Sequence, residues 1–291
     1  MANISELIRS KAEGDQARQS ARKMERENLS TMRDAALGEI TDKPEKYQQF
    51  LTLLGDNIGC SAGNVALTMV QLPHATKIGT TDYWHKLGRY VADEEMSRGA
   101  KVFVPSRNAN FRGYFMGDYY DVSQTTGRPI RETAPLENDS NRMEVALAAL
   151  MNKSPVDVSE DTDLSAPAYY NPADLTLYIN PEYTDSEVFS ALATEIAYAR
   201  VHDRGRNSDY DRAENKLDAE SIGYMICRRF GVDCPTPDAS QVKELYEGYE
   251  GADISDTLEA LRSAARDLGD AVDRAIQPRQ QERGRKRYAS R

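Results

Sequence analysis

The feature that most limits how this chain can fold lies near its C-terminus. Ile254, Leu258, Leu261, Ala265, Leu268, Val272 and Ala275 follow one another at spacings of 4, 3, 4, 3, 4 and 3. That pattern puts an apolar seam along one side of a helix over residues 253–276, with Asp253 or Ser255 available as its cap. Such a seam must be covered. It can pack on the rest of the chain or zip against a second copy, and its alanines narrow it in favour of the chain's own body.

At 291 residues the chain is long enough for two domains, each with its own core. No uninterrupted apolar run approaches the 18 or more residues of a membrane span. The N-terminus is polar, unlike a signal peptide. A cytoplasmic protein with no membrane partner is the expectation. Cys60, Cys227 and Cys234 stand at no recognised metal spacing and read as reduced thiols.

The net charge of −10 argues at first against nucleic acid, but the charge is unevenly spread. Residues 132–274 hold 13 basic and 30 acidic side chains, whereas 71–131 hold nine and six and 275–291 hold six and one. A mildly basic front and a basic tail around an acidic second half suit a DNA-facing module joined to another unit.

Residues 1–40 are rich in Glu, Arg, Lys, Gln and Ala and read as a helical extension. Arg18, Arg22, Lys23 and Arg26 lie at helical spacing, as a solvated face first and a DNA contact second. Asp42-Lys43-Pro44 marks a turn, and Pro44 begins a helix carrying Tyr47, Phe50, Leu51 and Leu54. An apolar helix through residues 65–70 ends before Pro73, and residues 75–79 read as a strand. Residues 101–105 and 113–122 are also strands, joined by a link holding Arg107, Phe111 and Arg112. Residues 131–141 read as an interdomain linker, 157–163 as an acidic loop and 175–179 as a short strand. Two helices follow, 186–202 and 216–230, the second ended by Gly231. Beyond Pro278 a basic, disordered tail is expected.

The stretch with most chemical character is NVALTMVQLPHATKIGTTDYWHKLGR, residues 64–89. Rings at Tyr83 and Trp84 beside Gly88 and Arg89 suit a surface that stacks bases and holds phosphate, and equally an aromatic core corner. Asn64, Gln71, Pro73, Ala75, Thr76, Trp84, Gly88 and Arg89 stand in an order and spacing that resemble the N-terminal domain of the ArdC family of antirestriction proteins. The likeness extends upstream to Tyr47-Gln48-Gln49-Phe50-Leu51 and downstream through residues 99–105 and 120–125. It implies a single-stranded-DNA-binding domain over residues 41–131, carried by a plasmid or conjugative element. Phosphate contacts are then expected from Arg89, Lys101, Arg107 and Arg112, and stacking from Tyr83, Trp84, Phe111 and Tyr114.

The second half, residues 142–250, resembles the zincin-like metallopeptidase domain of ArdC-type proteins. There two histidines of His-Glu-x-x-His bind zinc, the glutamate acts on the zinc-bound water, and a later helix adds a glutamate ligand. Here the first motif reads Thr194-Glu195-Ile196-Ala197-Tyr198 and the second Lys216-Leu217-Asp218-Ala219-Glu220. Thr194 and Tyr198 replace the histidines and Lys216 the third ligand, all poor or repulsive toward zinc. The expectation is no catalytic residue, no metal and no cofactor, with a Glu195–Lys216 contact in the metal's place. His202 is expected to cap its helix, with an improvised site among His202 and nearby carboxylates as the alternative.

The fold class expected is α+β: a mixed sheet-and-helix DNA-binding module, then a mostly helical zincin-like domain, a helix over 251–277 and a basic tail over 278–291. The function expected is single-stranded DNA binding, with a restriction or conjugation protein as a second partner class. The rival readings are a metallopeptidase with unusual ligands and an acidic module that mimics DNA. Nothing in the sequence decides the oligomeric state.

Overall fold

In the computed structural model, which describes residues 3–106, 113–130 and 134–277, the chain opens with a 39-residue helix, α1 (Ile4–Asp42). Pro44 starts α2 (Pro44–Asp56) at the position where its missing N–H leaves no bond unmade. The Ser61 hydroxyl accepts from the Asn64 N–H and starts α3 (Ala62–Gln71), which stops just before Pro73. A two-residue strand β1 (Ile78–Gly79) replaces the longer one expected at 75–79. Then come α4 (Thr81–Lys86), β2 (Arg89–Val91), β3 (Ala100–Pro105), β4 (Tyr114–Asp121) and β5 (Thr125–Gly127). β4 lies between β1 and β3, antiparallel to both, while β2 pairs with β5.

Among the described residues no strand lies beside the outer edge of β3, and two amides from α3 take that role. Asn64 accepts from the Phe103 N–H at 3.0 Å and donates to its carbonyl at 2.7 Å. Gln71, two turns on, accepts from the Lys101 N–H at 2.9 Å and donates to its carbonyl at 3.0 Å. A row of unpaired backbone groups is thereby satisfied without inviting another chain.

The second half contains α5 (Asn141–Met151), β6 (Asp157–Glu160), β7 (Ala168–Asn171), β8 (Thr176–Ile179), α6 (Asp185–His202), α7 (Lys216–Phe230), α8 (Val242–Leu245) and α9 (Gly251–Ile276). β8 is central, parallel to β6 and antiparallel to β7. The stretch expected as an acidic loop thus contains β6, an edge strand whose polar side chains conceal the strand pattern. The architecture is α+β, with small sheets on a mainly helical body.

The apolar core does not break at the expected linker. It runs from Leu37, Ile40, Tyr47 and Phe50 through α6 and α7 to α9. α2 lies directly on α7, close enough that a Cβ at Gly55 would come within 3.2 Å of the Met225 backbone. Tyr47 and Ser221 share a buried hydrogen bond at 3.1 Å, and Arg228 pairs with Asp56 at 2.7 Å. Within 134–141, Leu136 is buried and its N–H donates to the Phe230 carbonyl.

The C-terminal seam packs inward, as its alanines suggest. Ile254, Leu258, Leu261, Ala265, Leu268 and Val272 are buried on the chain's own body, and only Ala275 of the seven lies outside. Beside the seam, buried Arg262 donates to the Ile58 carbonyl at 2.8 Å and to Glu259, whose other oxygen accepts from the Ala62 N–H. Leu268→Ala should therefore cost about 2–5 kcal/mol in denaturant unfolding and leave the sedimentation coefficient unchanged. A shift from dimer to monomer would show instead that the seam is intermolecular.

Candidate functional site

The residues that carry the resemblance in the front module are scaffold. Trp84, expected to stack on a base, is fully buried, and its indole N–H donates to the Tyr120 carbonyl at 3.1 Å. Tyr83 meets Trp84 edge-on at 5.1 Å and is half-buried over Gly79, where an added Cβ would overlap its ring. Arg89 spends its guanidinium inside the module: Nε donates to the Thr125 hydroxyl at 2.8 Å, Nη1 to the Arg128 carbonyl at 2.6 Å and Nη2 to the Thr125 carbonyl at 2.7 Å. It closes the β2–β5 pair and is not free for phosphate. Asp121 similarly ties Thr76, Lys77 and Ser123 together, and these bonds hold its carboxyl below the usual range against the opposing effect of burial.

Two of the expected contacts remain on the surface. Tyr114 is 55 % exposed, and Lys101 is exposed while paired with Asp118 at 2.8 Å. Arg107, Phe111 and Arg112 lie outside the described residues. The sequence reading missed Phe115, which is 50 % exposed. Successive strand residues face opposite ways, so exposure of both 114 and 115 means that this end of the hairpin is bare on both faces. No residue pattern signals that, because the helices that cover the rest of the sheet decide it.

Residues 194–198 and 216–220 lie on a packed helix pair, α6 and α7. Glu195 on α6 is buried and accepts from the Tyr170 N–H of β7 at 2.8 Å. Its partner is Arg212, which donates through Nη1 to Oε2 at 2.9 Å and through Nη2 to Oε1 at 2.5 Å. The guanidinium lies over the Tyr198 ring at 3.9 Å and near the Tyr169 ring at 4.8 Å. Lys216, expected to hold Glu195, instead faces Glu220 at 3.7 Å. The correction has a physical cause: a two-oxygen carboxylate below the surface calls for a planar two-point donor, which Arg is and Lys is not. Arg212 sits in the polar 203–215 stretch, where nothing in sequence separates it from its neighbours.

The donor set does not fit a zincin metal. Thr194 turns its hydroxyl back to the Ser190 carbonyl at 3.2 Å, and α7 closes on it so tightly that a Cβ at Gly223 would sit 2.1 Å from its oxygen. Burial pushes the Tyr198 hydroxyl up to about 12, leaving a neutral phenol. A full positive charge already lies against Glu195. His202 is no helix cap either: its Nδ1 meets the Tyr170 hydroxyl at 2.6 Å and its ring packs 4.5 Å from Tyr210. Among the described residues no three His, Cys, Asp or Glu side chains stand together as a ligand set. What remains is an open pocket of about 430 Å³ lined by Thr194, Glu195, Tyr198, Arg212, Lys216 and Glu220.

Two predictions follow from these charges. Arg212→Ala leaves the Glu195 carboxylate buried without a counter-charge and should lower stability by about 3 kcal/mol, with Arg212→Lys recovering only part. Asp218, on the α7 face toward Tyr47 and Tyr246, is pushed up to about 6 by burial. Its folded value lies above the unfolded one, so ionised Asp218 opposes folding at pH 7, and that opposition fades as the pH falls through 6 toward 4. Asp218→Asn should be more stable than the parent at pH 7, by about 2–3 kcal/mol, with the gap gone near pH 4. Unfolding curves across that range give the answer, and a gap independent of pH would remove Asp218 as its source.

No protein-family profile matches the sequence, and no curated protein matches it either. Two solved structures do resemble the fold. The manganese-bound antirestriction protein ArdC from plasmid R388 is 16 % identical, with 75 % of this chain and 85 % of that one covered and a TM-score of 0.46. The metal-free structure of the R388 protein is 17 % identical over 74 % and 84 %, with a TM-score of 0.43.

Proposed function

We propose that this protein binds single-stranded DNA for a mobile element, as an antirestriction or DNA-protection protein of ArdC type, and that its second half is a metallopeptidase fold with a structural use. The observation that carries the reading is the Arg212 guanidinium seated on both oxygens of Glu195. It consumes the only residue that keeps the peptidase motif, so the chemistry left to the chain is binding. The binding surface is the uncovered hairpin end, where Tyr114 and Phe115 offer rings, together with Lys101 on the same hairpin. The sequence resemblance around residues 47–125 supports the antirestriction role.

A titration with labelled single-stranded and duplex oligonucleotides tests this. Single strands should bind more tightly, and Tyr114→Ala and Phe115→Ala should each cost about 1–3 kcal/mol of that affinity. Trp84 emission should be blue-shifted and unmoved by DNA, because the indole is buried. Stoichiometric bound metal, with a peptidase activity that Glu195→Gln abolishes, would falsify the non-enzymatic reading. Displacement of DNA by a restriction enzyme that binds the acidic half would favour the DNA mimic.

A further inference from the structure

α1 runs far past the body it packs on. From Ile4 to Asn28 every residue except Gly14 is exposed, and the first buried side chain is Leu29. At 1.5 Å per residue the free part is about 37 Å long. Its attached part has a clear inner face. Leu29 packs with Leu67 and Val102, the Arg33 guanidinium lies 5.9 Å over the Phe103 ring, and Ala36 and Ile40 enter the main core.

Residues 40, 36, 33 and 29 step back at helical intervals, and the same stripe continues outward through 26, 22, 18, 15 and 11. Those positions are Arg26, Arg22, Arg18, Asp15 and Lys11. The face that grips β3 near the body thus becomes, beyond it, a row of four cations. The row is interrupted by Asp15, which stands 4.0 Å from Arg18. Glu6, Glu13 and Glu27 fall on the opposite side, while Glu25 shares the cationic face, three residues from Arg22 and four from Leu29. The junction lies beside the nucleic-acid face, since Glu25 is an electrostatic neighbour of Lys101 on β3.

We propose that the free half of α1 is an arm that holds the phosphate backbone of the same single strand the hairpin takes, through Lys11, Arg18, Arg22 and Arg26. This rests on the single-strand reading above and extends it: the hairpin stacks bases, and the arm neutralises phosphates farther along the strand. A surface built in this way makes affinity depend on strand length and on salt. Each phosphate contact on a single strand adds about 0.7 to the slope of log Kobs against log salt. Four contacts steepen it by about 3, a roughly 50-fold larger loss of affinity between 50 and 200 mM salt.

The test uses the full chain with Lys11, Arg18, Arg22 and Arg26 all changed to Gln, which keeps helix propensity. Binding is measured to single strands of about 8 and about 30 nucleotides, spanning and exceeding one hairpin-sized site. With the long strand the variant's salt slope should fall by about 3. With the short strand the variant and parent should agree, while Tyr114→Ala weakens both lengths. Equal slopes for variant and parent on the long strand, with the Tyr114 effect intact, overturn the arm and leave the hairpin site standing. Loss of a parent dimer in the variant also overturns it, by making the acidic half of a second copy the occupant. A parent that binds no single strand at all removes the arm together with the reading it rests on.

Discussion

A carboxylate below the surface must be neutralised, and the way Glu195 meets that demand organises the second half of this protein. Its oxygens are shared between the Tyr170 N–H of β7 and the Arg212 guanidinium. One side chain thereby ties α6 to the sheet and to the stretch that leads into α7. Tyr198 and Tyr169 flank the guanidinium and form an aromatic wall around it.

The front module depends on a different device with the same logic. Asn64 and Gln71 close the edge of β3, Asp121 gathers backbone and side-chain donors from Thr76, Lys77 and Ser123, and Arg89 fastens β2 to β5. These polar residues are strongly specified by position because each meets buried or edge backbone groups that would otherwise lack partners. Residues that bind a polymer need instead to be exposed and individually dispensable to the fold. Tyr114, Phe115 and the arginine row of α1 have that character.

The two halves are mechanically one body. α2 lies on α7, Leu136 fills part of the same core, and α9 is covered by helices from both ends of the chain. A change in α7 is therefore felt beneath the front module, through Tyr47–Ser221 and Asp56–Arg228.

Periodicity alone determined the helices. The seam from Ile254 to Val272, the run before Pro73, and the stops at Gly231 and His202 are local patterns, set by which residues a helix can bury and how it can end. The residues at 194, 195, 198 and 216 were equally legible as a metal motif without metal ligands, because ligand chemistry belongs to residue type. Tertiary structure decided the partners. Whether Trp84 stacks bases or fills the core depends on Tyr120, 36 residues away on β4. Arg212 just before α7 and Lys216 at its first turn are both cations, and only their approach to Glu195 distinguishes them. β6 is hidden because an edge strand with polar side chains takes its stability from hydrogen bonds to β8, which leave no trace in its own residues. Pairing across distance is a property of the folded chain, and there the place of each charged or aromatic side chain was settled.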